Sequence, residues 1–245
     1  MKHAWKIINF ILALVILGVT LGNYDSLSSF VVVALAAAVL VLVIDFLAVR
    51  RVSSTRVDYL LLVLPGLFLI GLFAAISATS ALGTKLLVAV LALDVFYIHQ
   101  SYFPKKPPAF IEETFTLTTS FLLLYGLWAI NFFLTPAWWK TMALAFAVFL
   151  LLFYQAFYKM GNTGRTASLH ALLASLLITE IFWTVLFAPV YFLTAAVLVF
   201  AVFYLIYMLS NFYFERRLSR NKIVFHTSLI FAVILLSLAS SPWQP

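Results

Sequence analysis

Apolar stretches of about twenty residues, separated by short polar and basic segments, run the length of the chain. A helix needs about 20 apolar residues to cross the hydrocarbon core of a bilayer. Nine segments meet that need: 5–22, 30–49, 58–77, 82–99, 114–134, 138–157, 168–188, 190–210 and 223–240. The apolar run between Arg165 and Glu215 is too long for one crossing, and its break is Ala188-Pro189. Proline lacks the N–H that a helix interior uses and disfavours helix in the residue before it, so one span is expected to end near Phe187 and the next to begin near Val190. The pattern predicts an all-α fold, a polytopic bundle of about nine transmembrane helices forming one domain over residues 1–245.

Lys and Arg in short loops favour the cytoplasmic side. With the N-terminus inside, the inner segments hold Lys2, Lys6, Arg50, Arg51, Arg56, Lys105, Lys106, Lys159, Arg165, Arg216, Arg217, Arg220 and Lys222, against only Lys85 and Lys140 outside. This asymmetry predicts an inner N-terminus and an outer C-terminus. The first span has a competing interpretation: MKHAWK is a basic leader, and Ile7–Gly22 could form the core of a cleaved signal peptide. An uncleaved helix is preferred, because the remaining topology needs no processed start.

Composition sharpens the class. Hydrophobic residues make up 65% of the chain and charged residues 9%, against about a quarter charged in average soluble domains. Lipid must therefore be part of the solvent, and a multi-pass protein of the cell membrane is expected. The net charge of +7 follows from the basic inner loops, which can touch anionic lipid, and no nucleic-acid partner is implied. The absence of cysteine excludes disulfides, thiol nucleophiles and thiolate metal sites. There is no G-x-x-x-x-G-K-[ST] loop, no G-x-G-x-x-G and no G-x-S-x-G. No cofactor is expected, and uphill transport would need an ion gradient or a partner ATPase.

Several polar residues have routine roles. Thr55 and Asp58 fit a capping box, and Glu112 and Glu113 suit the first turn of the fifth span, where the helix dipole favours anions. Trp5, Trp138, Trp139 and Trp243 fall where an interfacial aromatic belt lies. Small residues four apart, Ala34/Ala38 and Ala74/Ala78, suit close helix contacts.

Ionisable residues within spans mark candidate sites. Glu180 stands about 13 Å below the Pro189 turn at 1.5 Å per residue. Its expected partners are Lys85, Asn131, or the hydroxyls of Thr179 and Thr184, either as a neutral carboxyl hydrogen-bonded to a neighbouring helix or as a proton, cation or ligand site. A second group shares one level at the inner ends: His99, His170 and His226 with Asp45 and Asp94. Three such ligands and a water would suit a catalytic zinc ion. Membrane hydrolases of the ceramidase and progestin-receptor-like type are similar in carrying histidines near the inner leaflet. This chain departs from them in having no HxxxH pair and nine spans rather than seven.

The pattern Glu180-x-x-Trp183 followed by Pro189, in ITEIFWTVLFAPVYF, resembles a domain-of-unknown-function family of multi-pass membrane proteins from uncultivated candidate-phylum bacteria, over about the last third of the chain. The resemblance implies a bacterial cytoplasmic membrane and a role for Glu180 and Trp183. The leading expectation is a non-enzymatic protein that binds or passes a small or lipidic ligand, with Glu180, Trp183, Asn131 and Lys85 around it. The alternatives are a metal-dependent intramembrane hydrolase and a structural subunit whose Glu180 pairs with a membrane-protein partner.

Overall fold

A computed structural model describes residues 59–79, 82–102, 108–134, 136–160 and 164–241, together with Ile11, 39–43 and 46–47. The described residues are helical, with short turns and no strand. Seven helices follow in order: α1 (Tyr59–Ala78), α2 (Leu82–Tyr102), α3 (Ala109–Leu134), α4 (Trp138–Lys159), α5 (Arg165–Leu186), α6 (Phe192–Phe214) and α7 (Arg220–Ser240). They correspond to the seven expected spans from 58–77 onward. The expected spans 5–22 and 30–49 fall almost wholly outside the described residues, as do Thr55, Asp58, Ala34, Ala38, Trp5 and Trp243. Six of the helices, α2 to α7, are long and apolar enough to cross a membrane, and α1 contributes a shorter apolar stretch, Val63–Ser77. This is the make-up of a multi-pass membrane protein.

The helix boundaries have local causes. Helix α3 begins at Ala109, five residues before the predicted start, because Pro108 sits just outside it and its carbonyl accepts from the N–H groups of Ile111 and Glu112. Proline is well suited to a helix start and cannot lie in an interior. Helix α7 likewise begins three residues early, where the Ser219 hydroxyl accepts from the Lys222 N–H at 3.5 Å. The Ala188-Pro189 break produces the expected hairpin: α5 stops at Leu186 and α6 starts at Phe192.

The chain forms two compact units, Met1–Gly126 and Leu127–Pro245, with the boundary inside α3. In the first unit, Phe68 of α1 stacks on Phe115 of α3 at 4.8 Å and on Phe96 of α2 at 5.6 Å. Glycine permits close approach at two positions. A Cβ on Gly71 would stand 2.9 Å from the Leu123 nitrogen, and one on Gly126 would stand 2.5 Å from the Ala74 Cβ. In both helices these contacts advance in the same direction, so α1 and α3 run parallel here. Without a hydrophobic force between helices in lipid, such small-residue contacts provide the van der Waals packing that holds the spans together.

In the second unit α4 packs along α5, α5 on α6, and α6 on α7. Its aromatic core joins Phe153 to Phe203 at 4.7 Å and Trp128 to Phe182 at 4.6 Å. Of the six membrane-length helices α7 is the least buried, with Ile230 its one buried residue.

Candidate functional site

Helix α5 divides cleanly into two faces. Ala167, Ala171, Ala174, Ser175, Ile178, Thr179 and Phe182 recur at three- and four-residue steps and are buried. Leu173, Leu176, Leu177, Glu180, Trp183 and Thr184 are exposed on the other side. Glu180 lies between the buried pair Ile178–Thr179 and buried Phe182, and at 100° per residue that turns it outward. Phe182 is fixed inside by Trp128 and by Phe149, whose ring meets it edge-on at 6.3 Å, so rotating α5 to bring Glu180 inward would expose this cluster.

The expectation that Glu180 is hydrogen-bonded to a neighbouring helix is not met among the described residues. Asn131 instead accepts from the Thr141 hydroxyl at 3.3 Å. Thr179 donates to the Ser175 carbonyl, and Thr184 donates to the Glu180 carbonyl rather than to its side chain. Hydroxyls in apolar helices commonly bond back to the carbonyl four residues earlier in this way. Lys85 is half-buried on the first turn of α2, in the first unit. Of the four residues expected around a ligand, Glu180 and Trp183 share one face. Glu180 lies six residues before the end of α5 and fifteen after its start, about 9 Å and 22 Å along the axis, which puts it about 7 Å from the helix midpoint on the side of the Pro189 turn.

One turn above the carboxyl is an aromatic ledge. The Trp183 ring stacks on Trp138 of α4 at 6.4 Å and 17°, and meets Phe187 edge-on at 6.1 Å. Exposures of 45%, 65% and 76% for Trp183, Trp138 and Phe187 make this an open apolar surface. Lys140 lies 5.5 Å from the neighbouring Trp139 ring. Sequence reasoning assigned Trp138 to an interfacial belt and did not connect it to Glu180. The signal for Phe187 was its four-residue spacing from Trp183.

The three candidate histidines are each engaged locally. His99 is buried and stacked on Phe115 at 3.9 Å. His170 Nδ1 lies 2.8 Å from the Thr166 carbonyl, which can only accept, so this nitrogen carries the proton; the ring is edge-on to Phe157 and Phe214. His226 Nδ1 is 3.1 Å from the Tyr204 hydroxyl, with Phe212 and Phe225 beside it. Asp94 is exposed on α2, and Asp45 lies outside the described residues. Among the described residues no three His, Asp or Glu side chains gather closely enough to hold a metal ion.

Two buried polar groups in the second unit are unusual. Among the described residues, the Gln155 amide, 2% exposed, has a hydrogen-bond partner at neither its oxygen nor its nitrogen, and the Trp128 indole N–H has none either. An unpaired buried polar group costs about 1–3 kcal/mol, so neither is a neutral packing choice. Comparisons with family models, curated proteins and solved structures give no match.

Proposed function

We propose that this nine-span protein, with its N-terminus inside, binds a lipidic ligand from the bilayer on the outward face of α5. Glu180 is the polar anchor, and Trp183, Trp138 and Phe187 form the apolar ledge. The observation that supports this reading is the outward carboxyl, which pairs with no other described residue and lies one turn below three exposed rings. A structural interhelical hydrogen bond would put the carboxyl on the buried stripe with Ser175 and Thr179. A carboxyl left alone in hydrocarbon is costly, and a ligand that supplies a hydrogen bond or a cation removes that cost. An amine- or hydroxyl-bearing amphiphile fits: its head meets Glu180, its apolar body lies on the rings, and an ammonium group gains from the Trp183 face. On the Glu180, Trp183 and Pro189 pattern we also infer kinship with the bacterial membrane family of unknown function.

The test is lipid analysis of the full chain purified in mild detergent. An amphiphile retained near one equivalent by the wild type and depleted about tenfold in Glu180→Ala, equivalent to about 1.4 kcal/mol, supports the reading. Equal lipid content in the two proteins refutes it. A stoichiometric protein that co-elutes through Glu180 would instead favour the assembly-subunit alternative.

A further inference from the structure

The turn between α6 and α7 concentrates positive charge. Arg216, Arg217, Arg220 and Lys222 lie within seven residues, and Glu215 is the single carboxylate beside them. The three arginines are exposed. The Glu215–Arg217 pair is long at 3.7 Å, with both side chains in the open, and such pairs contribute little. The Lys222 ammonium is held over the Phe212 ring at 4.3 Å.

The backbone gives this cluster its specificity. Helix α6 closes with Arg216 N–H donating to the Tyr213 carbonyl and Arg217 N–H to the Phe212 carbonyl. That closure puts Arg216 at φ +54°, a left-handed conformation that it alone adopts among the described non-glycine residues. Helices usually place glycine at this point, because a Cβ is strained there. A basic inner loop satisfies the insertion rule with arginine anywhere along it; that rule does not account for arginine at the position where glycine is relaxed. Around the turn, Tyr213, Leu218 and Phe225 are exposed by 63%, 42% and 63%, an apolar collar flanking the cations in sequence.

We propose that this turn binds the phosphate of an anionic phospholipid headgroup. Guanidinium groups fork onto phosphate oxygens in a bidentate geometry that a point charge lacks. The collar seats in the acyl region while the arginines reach the headgroup level. Arg216 supplies its charge to this site at the expense of local backbone strain. The site depends on the chain crossing a membrane and is independent of Glu180.

The test uses the full chain in detergent micelles doped with phosphatidylglycerol or phosphatidylcholine, with retained lipid counted by native mass spectrometry and stability followed by thermal unfolding. Arg216→Gly is expected to be at least as thermostable as the wild type in phosphatidylcholine and to bind phosphatidylglycerol about fivefold more weakly, the worth of one basic residue at an anionic surface. Lys140→Gln, on a different turn, should leave that binding unchanged. Wild-type affinity in Arg216→Gly, equal retention of the two lipids, or the same stabilisation by inorganic phosphate alone would overturn the proposal. Should Arg216→Gly fail to fold, Arg220→Gln at the exposed start of α7 provides the same reading: weaker phosphatidylglycerol binding supports the site, and unchanged binding overturns it.

Discussion

Replacing Gly126 with alanine adds one methyl group at the crossing of α1 and α3. Its carbon would stand 2.5 Å from the Ala74 Cβ, whereas carbon atoms rest at about 3.5–4.0 Å. Ala74 has no rotamer to swing aside, so the helices must part by about 1 Å to restore contact distance. Parting them also loosens the Gly71 contact with Leu122 and Leu123. Overpacking of this kind costs about 1–3 kcal/mol, which in a chain of this size corresponds to a fall of about 2–12 °C in Tm. The compensating change is Ala74→Gly, because the new Cβ then meets the residue-74 Cα at 3.8 Å, an ordinary contact. Thermal unfolding of the four proteins in mild detergent, followed by tryptophan fluorescence, completes a double-mutant cycle. The double variant should recover most of the loss seen in Gly126→Ala. A Gly126→Ala protein as stable as the wild type, or a double variant that loses the sum of both changes, would show that the crossing is not as described.

Three further outcomes are expected. Gln155→Met keeps the side-chain volume and removes the unpaired amide, so stability should rise by about 1–3 kcal/mol; a lower Tm would reveal a bound polar group that the amide serves. Tyr204→Phe removes the 3.1 Å contact with His226 and should cost about 0.5–1.5 kcal/mol in unfolding experiments. The chain has no cysteine, so single Arg217→Cys and Lys140→Cys variants can be labelled without background; an impermeant thiol reagent added to whole cells should label only the second, and labelling of the first would reverse the topology.

The sequence made the seven described helices legible because span length and proline position are one-dimensional signals. Pro108 and Ser219 shifted two starts by a few residues, since capping is decided by individual hydrogen bonds. The orientation of Glu180 was harder to read. On α5 the outward residues are Leu173, Leu176 and Leu177 and the inward ones Ala171, Ala174 and Ser175. Lipid is as apolar as the interior, so hydropathy scarcely distinguishes the faces; over Ala167–Leu177 side-chain size does, with small residues packed between helices and large ones outward, whereas further on Ile178 and Phe182 are large and buried. Read by size, the stripe places the carboxyl outside. The histidines illustrate the converse. Their shared level was legible, but level along a span fixes neither the neighbouring helix nor the facing direction, and the rings of Phe115, Phe157, Phe214 and Phe212 occupy their surroundings.

The central claim is that a carboxyl on the bilayer-facing side of α5 anchors a lipidic ligand. A hydrophobic carbodiimide, which partitions into the bilayer and reacts with carboxyl groups there, probes this claim directly. In membranes stripped of bound amphiphile, peptide mass spectrometry should find the adduct on Glu180, and returning the extracted lipid should suppress it. An unmodified Glu180, with label on Glu112 or Glu215 instead, or labelling that extracted lipid leaves unchanged, would contradict the claim.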